Sequence, residues 1–328
     1  MLTARKDKYG TFNFFDRLSK ESPVSFYTNH GYKLHGSIWL PDDYKPGEKR
    51  SGVLHSQGYT TVYHVPFYMK MCRSLADAGF VVVAADYRGY GESESPSGAG
   101  SKDVTPMEEV EDVMSGISYL QTRPEVSPRS VGLVGTSFGA AVAVYAAAID
   151  RRIAALVANW PIGDGQRWLS SLSRLPEWVS MMGELDEAKI SRTLTGKDKM
   201  VHYQKYLRLA GGEATAANEW EKNGWIGVDI PSSFIESILA FKPERMVDSI
   251  APRPVLFTHP EADEHVSPDE SISLFKKAGD PKEIWIIPRE KVPNVLEFEV
   301  EFEGSYAKTY NEFISREIDF LKKHLPPP

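Results

Sequence analysis

Two stretches near the start of the chain, Val24–Thr28 and Leu34–Leu40, alternate apolar and polar residues around an Asn29–Gly31 turn, the period of a half-buried hairpin. Beyond it the alternation gives way to more buried segments. Gly52–Ser56 starts a buried strand, Phe80–Ala85 is a continuous apolar run, and Ser130–Val134 and Ile153–Asn159 read the same way. Continuous apolar strands are those of a parallel sheet covered on both faces. Helical spacing fills the intervals. Val62–Gly79 ends on a glycine stop, and a helix runs from Thr105 through Leu120 with Thr105 as N-cap and Glu108 three residues on as its capping-box partner. Ser137–Ile149 is small and apolar throughout, suited to a helix packed tightly on a sheet. The alternation resumes at Pro254–Thr258 (strand), Pro268–Ala278 (helix), Glu283–Ile287 (strand) and Tyr306–Leu325 (helix). Strand and helix in alternation predict an α/β chain built on a mostly parallel, doubly wound sheet. The acidic, alternating segment Leu296–Glu303 reads as a surface strand or loop.

Between Pro161 and about Arg245 the pattern changes. Trp168, Trp178, Trp220, Trp225, Tyr203, Tyr206 and Phe234 stand in helical or irregular spacing, with no clear buried strand. The expected organisation is a core of residues 1–161 and 246–328 with a helical insertion, a lid, at 162–245. Most of its aromatic residues serve the insertion's own core on this reading, since aromatics dominate cores generally.

Composition narrows the function classes. The 328 residues are 41% hydrophobic and 25% charged, with a net charge of −7. There is no basic footprint for nucleic acid, and no apolar run near the roughly 20 residues that cross a bilayer. The start, MLTARKDKYGTF, has no apolar core and no small-residue cleavage site, so no secretory signal is expected. A lone Cys72 makes an intrachain disulfide impossible and fits a reducing cytoplasm. No Cys/His/carboxylate cluster has metal-ligand spacing, and no G-x-G-x-x-G follows the first strand, so neither metal nor nucleotide cofactor is expected.

One motif carries chemistry. Gly135-Thr136-Ser137-Phe138-Gly139 matches G-x-S-x-G between a buried strand and a small-residue helix. That context is what a nucleophile elbow requires: a sharp strand-to-helix turn in strained backbone conformation, with glycines two residues either side so that the turn packs without Cβ clashes. The helix N-terminus beneath the serine favours developing negative charge. With this elbow, Asp86-Tyr87-Arg88-Gly89-Tyr90-Gly91-Glu92-Ser93, Ala148-Ile149-Asp150-Arg151-Arg152 and Gly58-Tyr59-Thr60-Thr61-Val62 resemble the α/β-hydrolase superfamily over nearly the whole chain. The similarity is nearest to the branch holding X-Pro dipeptidyl peptidases, cocaine esterase-like enzymes and fungal polyketide acyltransferases. The resemblance implies an oxyanion hole from the N–H of Phe138 and a second N–H in the loop after the third strand, where Tyr59 is the candidate. His55 resembles the histidine of the usual His-Gly pair, although Ser56 follows it here.

The segment Glu261–Pro268 resembles the superfamily's acid loop, with Asp263 five residues before the proline and Glu261 and Glu264 as alternates. A carboxylate there orients an imidazole and stabilises its cation. The imidazole itself is missing. In this fold it follows the last strand, but the loop Pro288–Val295 contains no histidine and Val292 stands about where it belongs. Serine at its free pKa is a weak nucleophile and needs a base. His265, two residues past Asp263, and His202, in the insertion, are the substitutes, while His55 and His259 read as structural. The expected function is therefore esterase-like or acyl-transferring chemistry on a mid-sized apolar small molecule, with Ser137, Asp263 and His265 as catalytic residues and Tyr59 and Phe138 at the oxyanion. The alternative is a non-hydrolytic catalyst (isomerase, cyclase or lyase) or a binding protein reusing the pocket.

Overall fold

A computed structural model describes residues 20–101, 104–207, 218, 220–224 and 229–328. The N-terminal segment read for a signal, and Trp225, lie outside these residues, as does the side chain of Tyr206. Eight strands form one sheet: β1 (Lys20–Tyr27), β2 (Lys33–Leu40), β3 (Arg50–Ser56), β4 (Val81–Ala85), β5 (Val126–Thr136), β6 (Ala155–Asn159), β9 (Val255–Pro260) and β10 (Lys282–Ile287), in the order β1-β2-β4-β3-β5-β6-β9-β10. The β1–β2 hairpin and the β2–β4 pair are antiparallel. From β4 to β10 every pair is parallel.

The period of two sorts each strand's side chains onto two cores. On one face lie Val81, Val83, Leu133, Leu156, Ala158 and Phe257, under α2 (Pro106–Thr122) and α3 (Phe138–Ile149). On the other lie Val82, Ala84, Val134, Val157 and Leu256, under α1 (Pro66–Asp77) and the C-terminal helix Ala307–His324. Both faces being covered explains the unbroken apolar strands. The Thr105 capping box forms as expected: its hydroxyl accepts from the Glu108 N–H, and the Glu108 carboxylate accepts from the Thr105 N–H. Pro66 at the first helical position and extended Val65 before it start α1 later than the spacing suggested.

Residues 162–245 hold α4 (Gly165–Ser171), α5 (Leu175–Thr195), the four-residue α6 (Gln204–Leu207) and α7 (Ser232–Ala240). They also hold a short antiparallel ladder that the sequence did not signal, β7 (Met200–His202) against β8 (Asp229–Pro231). Both roots of this segment are tied to α8 (Pro268–Lys277). The Glu270 carboxylate accepts from the Gly163 N–H at 2.8 Å and pairs with Arg167 at 2.6 Å. Glu244 at the far root pairs with Arg167 and Lys277.

One reading is corrected. Leu296–Glu303 is no surface strand or loop: Val295–Val300 forms a helix, α9, capped by the Asn294 side chain. Val295, Phe298, Glu299 and Phe302 point inward. Their spacing of i, i+3, i+4, i+7 is helical, and it was masked by the acidic residues between them. The final helix, α10 (Ala307–His324), follows.

Candidate active site

Ser137 joins β5 to α3 with φ 55° and ψ −123°, a conformation that L-residues avoid. The surroundings hold it there. The Ser137 N–H donates to the Asn159 carbonyl at 2.8 Å. Asn159 is itself a buried junction: its side chain donates to Glu317 of α10 and accepts from the Thr258 hydroxyl, both at 2.7 Å. The flanking glycines are sterically required. A Cβ on Gly135 would lie 2.6 Å from the Ala140 Cα, and one on Gly139 would lie 2.5 Å from the Ser56 carbonyl oxygen and 2.6 Å from the Gln57 carbonyl carbon.

Ser56, which replaces the expected glycine, has a structural use. Its hydroxyl donates to the Gly139 carbonyl at 2.9 Å and meets the Tyr87 phenol, tying the end of β3 to the first turn of α3. The loop after β3 thereby lies against the elbow. A Cβ built on Gly58 would sit 3.5 Å from Ser137 Cβ and 2.7 Å from the Tyr68 phenol oxygen. The Tyr59 ring packs 5.8 Å from Phe138, Trp168 and Phe234. His55 is buried, contacts Thr136 at 3.3 Å, and burial pulls its pKa down to about 3, so it is a neutral support beneath the turn.

One cavity of about 90 Å³ is lined by Gly58, Tyr59, Ser137, Asp263 and His265, with Tyr68, Trp160, Trp168, Tyr203, Trp220 and Glu299 among its other walls. Asp263 accepts from the backbone N–H groups of His265 and Val266, both at 2.9 Å. His259 fixes the same loop from below. Its Nε2–H donates to the Val266 carbonyl at 2.7 Å, and its Nδ1 shares a hydrogen bond of 2.7 Å with the Ser271 hydroxyl. The Trp168 indole donates to the His265 carbonyl at 2.7 Å, seating α4 on the acid loop. Burial lowers the His265 pKa, with Asp263 and Glu264 opposing, so its imidazole is neutral at pH 7. His202 is half-exposed, stacked on Tyr203 and 3.9 Å from Glu221, and does not line the cavity. Val292, in the loop where the superfamily's histidine belongs, is fully buried among apolar side chains. Among the described residues, no side chain hydrogen-bonds the Ser137 hydroxyl and no group of metal ligands is assembled.

Three wall residues escaped the sequence reading. Trp160 follows β6 with φ 38° and turns its indole into the cavity. Tyr68 comes from α1. Glu299 comes from α9, where the inward spacing was the available signal. Ser137, Trp160 and Thr60, also at positive φ (53°), are the non-glycine residues with this strain among those described. Ser137 and Trp160, at the ends of β5 and β6, line the cavity, and Thr60, in the loop after β3, stands between Tyr59 and Thr61, which line it too. Such strain persists only where surrounding structure over-determines it, and it collects at functional sites.

A profile of the X-Pro dipeptidyl-peptidase (S15) family matches residues 30–290. The chain belongs to that family. Membership places it in the α/β-hydrolase superfamily and makes it a hydrolase-type enzyme. Relatives within this superfamily include a thiohydrolase of Aspergillus aculeatus, 22% identical over 80% of this chain and 83% of its own. A polyketide transferase of Penicillium is 23% identical over 93% and 97%. The quorum-quenching protein AidA of Acinetobacter baumannii is 26% identical over 76% and 78%. Among solved structures, a hypothetical protein from Pseudomonas aeruginosa superposes with a TM-score of 0.78 over 99% of both chains at 19% identity, which shows the fold.

Proposed function

We propose that this enzyme attacks the carbonyl of a mid-sized apolar ester or thioester with Ser137 and transfers the acyl group to water or to an acceptor. The observation that carries the reading is the strained Ser137 elbow opening into the same cavity as Asp263 and His265. The Ser137 hydroxyl gives its proton to the neutral His265 imidazole as oxygen bonds to the carbonyl carbon. The Asp263 charge beside it favours the imidazolium that results. The oxyanion is received by the N–H groups of Phe138 and Tyr59 at the N-terminus of α3. Trp160, Trp168, Tyr203 and Trp220 supply an apolar wall, and residues 162–245 act as a lid over it. The named activities of the thiohydrolase and polyketide transferase relatives support acyl chemistry. The substrate is a small molecule. No helix among the described residues is long and apolar enough to cross a membrane, and a cytoplasmic site of action goes with this reading.

The test is turnover of short p-nitrophenyl esters and acyl thioesters by wild type and by Ser137→Ala, His265→Ala and His202→Ala. Loss of turnover in the first two, with His202→Ala unchanged, is expected. Wild-type turnover that survives Ser137→Ala removes the nucleophile assignment. One observation favours a second reading: the buried Val292 where an imidazole belongs. If a serine-reactive phosphonate fails to label Ser137 and no ester turns over, the pocket serves isomerisation, cyclisation or lyase chemistry, or binding alone.

A further inference from the structure

The cavity wall carries an acid that the Ser137–Asp263–His265 reading does not use. Glu299 lies in α9, just past the histidine-free loop, and is 5% exposed. It lines the cavity with Ser137, Tyr68, Asp263 and His265. The titratable groups that act on it are Asp263 from the loop after β9 and Tyr68 from α1, and His265 lines the same cavity. The Trp160 side chain at the end of β6 hydrogen-bonds it. Among the described residues it has no ion-pair partner. A carboxyl so placed, buried beside the Asp263 charge and without a cation, is held in its neutral form.

Resting on the acyl-transfer reading above, we propose that Glu299 is a catalytic acid that protonates the leaving oxygen of an alkyl ester, and that the enzyme's substrates are oxygen esters of unactivated alcohols. Burial and Asp263 push its pKa up to about 8, while the neighbouring His265 is pushed down. Two titratable groups driven apart by their surroundings mark an acid and a base.

The proton balance closes. In acylation Ser137 gives its proton to His265, the carbon–oxygen bond to the alcohol breaks, and that oxygen takes the Glu299 proton. The acyl-serine then faces a Glu299 carboxylate and a His265 imidazolium. In deacylation the incoming water or alcohol gives its proton to Glu299 and bonds to the acyl carbon, and Ser137 leaves with the proton of His265. A thiolate leaves unaided, since thiols ionise near pH 8.5. An alkoxide resembles hydroxide, whose parent water is a far weaker acid than a thiol, and needs the acid.

The experiment compares ethyl and p-nitrophenyl esters of one acyl group across pH 6–9.5, in wild type and Glu299→Gln. Expected is a loss of about 100-fold or more in kcat/KM, which reports acylation and not the shared deacylation step, on the ethyl ester, with kcat/KM on the p-nitrophenyl ester changed at most a few-fold. The wild-type ethyl-ester profile should fall with a midpoint near pH 8 that the p-nitrophenyl profile lacks. The wild-type profiles carry the test if Glu299→Gln does not fold. Equal losses on both esters, or identical wild-type profiles, overturn the role of Glu299 while leaving Ser137 in place. Turnover that survives Ser137→Ala instead overturns the reading beneath it.

Discussion

Gly139→Ala is the perturbation with the most direct structural arithmetic. A methyl at this position would fall on the Gln57 carbonyl oxygen, lie 2.5 Å from the Ser56 carbonyl oxygen and lie 2.6 Å from the Gln57 carbonyl carbon. Non-bonded carbon contacts rest at about 3.5–4.0 Å, so the loop after β3 and the first turn of α3 would have to part by roughly an ångström. Both obstacles are backbone, and neither can rotate away. Overpacking that side chains can absorb costs about 1–3 kcal/mol. Here the cost should reach or exceed about 3 kcal/mol. If the chain accepts the separation, the proposed oxyanion donors, the N–H groups of Tyr59 and Phe138, move apart, and a displacement of about 1 Å at reacting groups costs on the order of 100-fold in rate. Chemical denaturation and ester hydrolysis read the two outcomes. Gly183→Ala is the control: its methyl would meet nothing within 4 Å in the interior of α5, so a gain of about 0.5–1 kcal/mol is expected. Native stability together with unchanged turnover in Gly139→Ala would refute the reasoning.

Two further outcomes concern strain and charge. Ser137→Gly should be more stable than Ser137→Ala by about 1–2 kcal/mol, because alanine keeps the unfavourable positive φ and glycine does not; equal denaturation midpoints would show that the turn stores no strain. Glu317 is fully buried, and burial pushes its pKa up to about 8, with the Asn159 hydrogen bond opposing. The folded state therefore holds a proton that the unfolded chain releases above about pH 4.3. The stability tied to this proton is complete below that pH and is lost as pH rises toward 8. Glu317→Gln should flatten the decline between pH 5 and 8 by an amount on the order of a few kcal/mol, measured as denaturation midpoints across that range; a decline as steep as the wild type's would oppose it.

The fold was legible because its strands are buried on both faces and its helices carry their own stops and caps, as at Gly79 and Thr105. The elbow was legible because a turn that tight dictates glycine at positions 135 and 139. The cavity wall was not. Glu299 sits among exposed acids, and only its phase relative to Val295, Phe298 and Phe302 separates it from them. Tyr68 and Trp160 look like ordinary core aromatics until the chain brings α1 and the end of β6 to the same opening. The two short strands of the insertion pair residues nearly thirty positions apart, with no alternation long enough to announce them.

The junction at Asn159 has a consequence for the order in which the enzyme is made. Its carbonyl receives the Ser137 N–H, its amide waits for Thr258, and its last partner is Glu317. A nascent chain that has exposed the elbow but not the final helix leaves a buried amide short of a partner, which is costly in an apolar interior. Chains emerge from the ribosome at about 5–20 residues per second. The elbow is therefore translated seconds before the residue that completes its support. Until then the serine stands on an unfinished floor, and the geometry of its turn is complete only once α10 has been made.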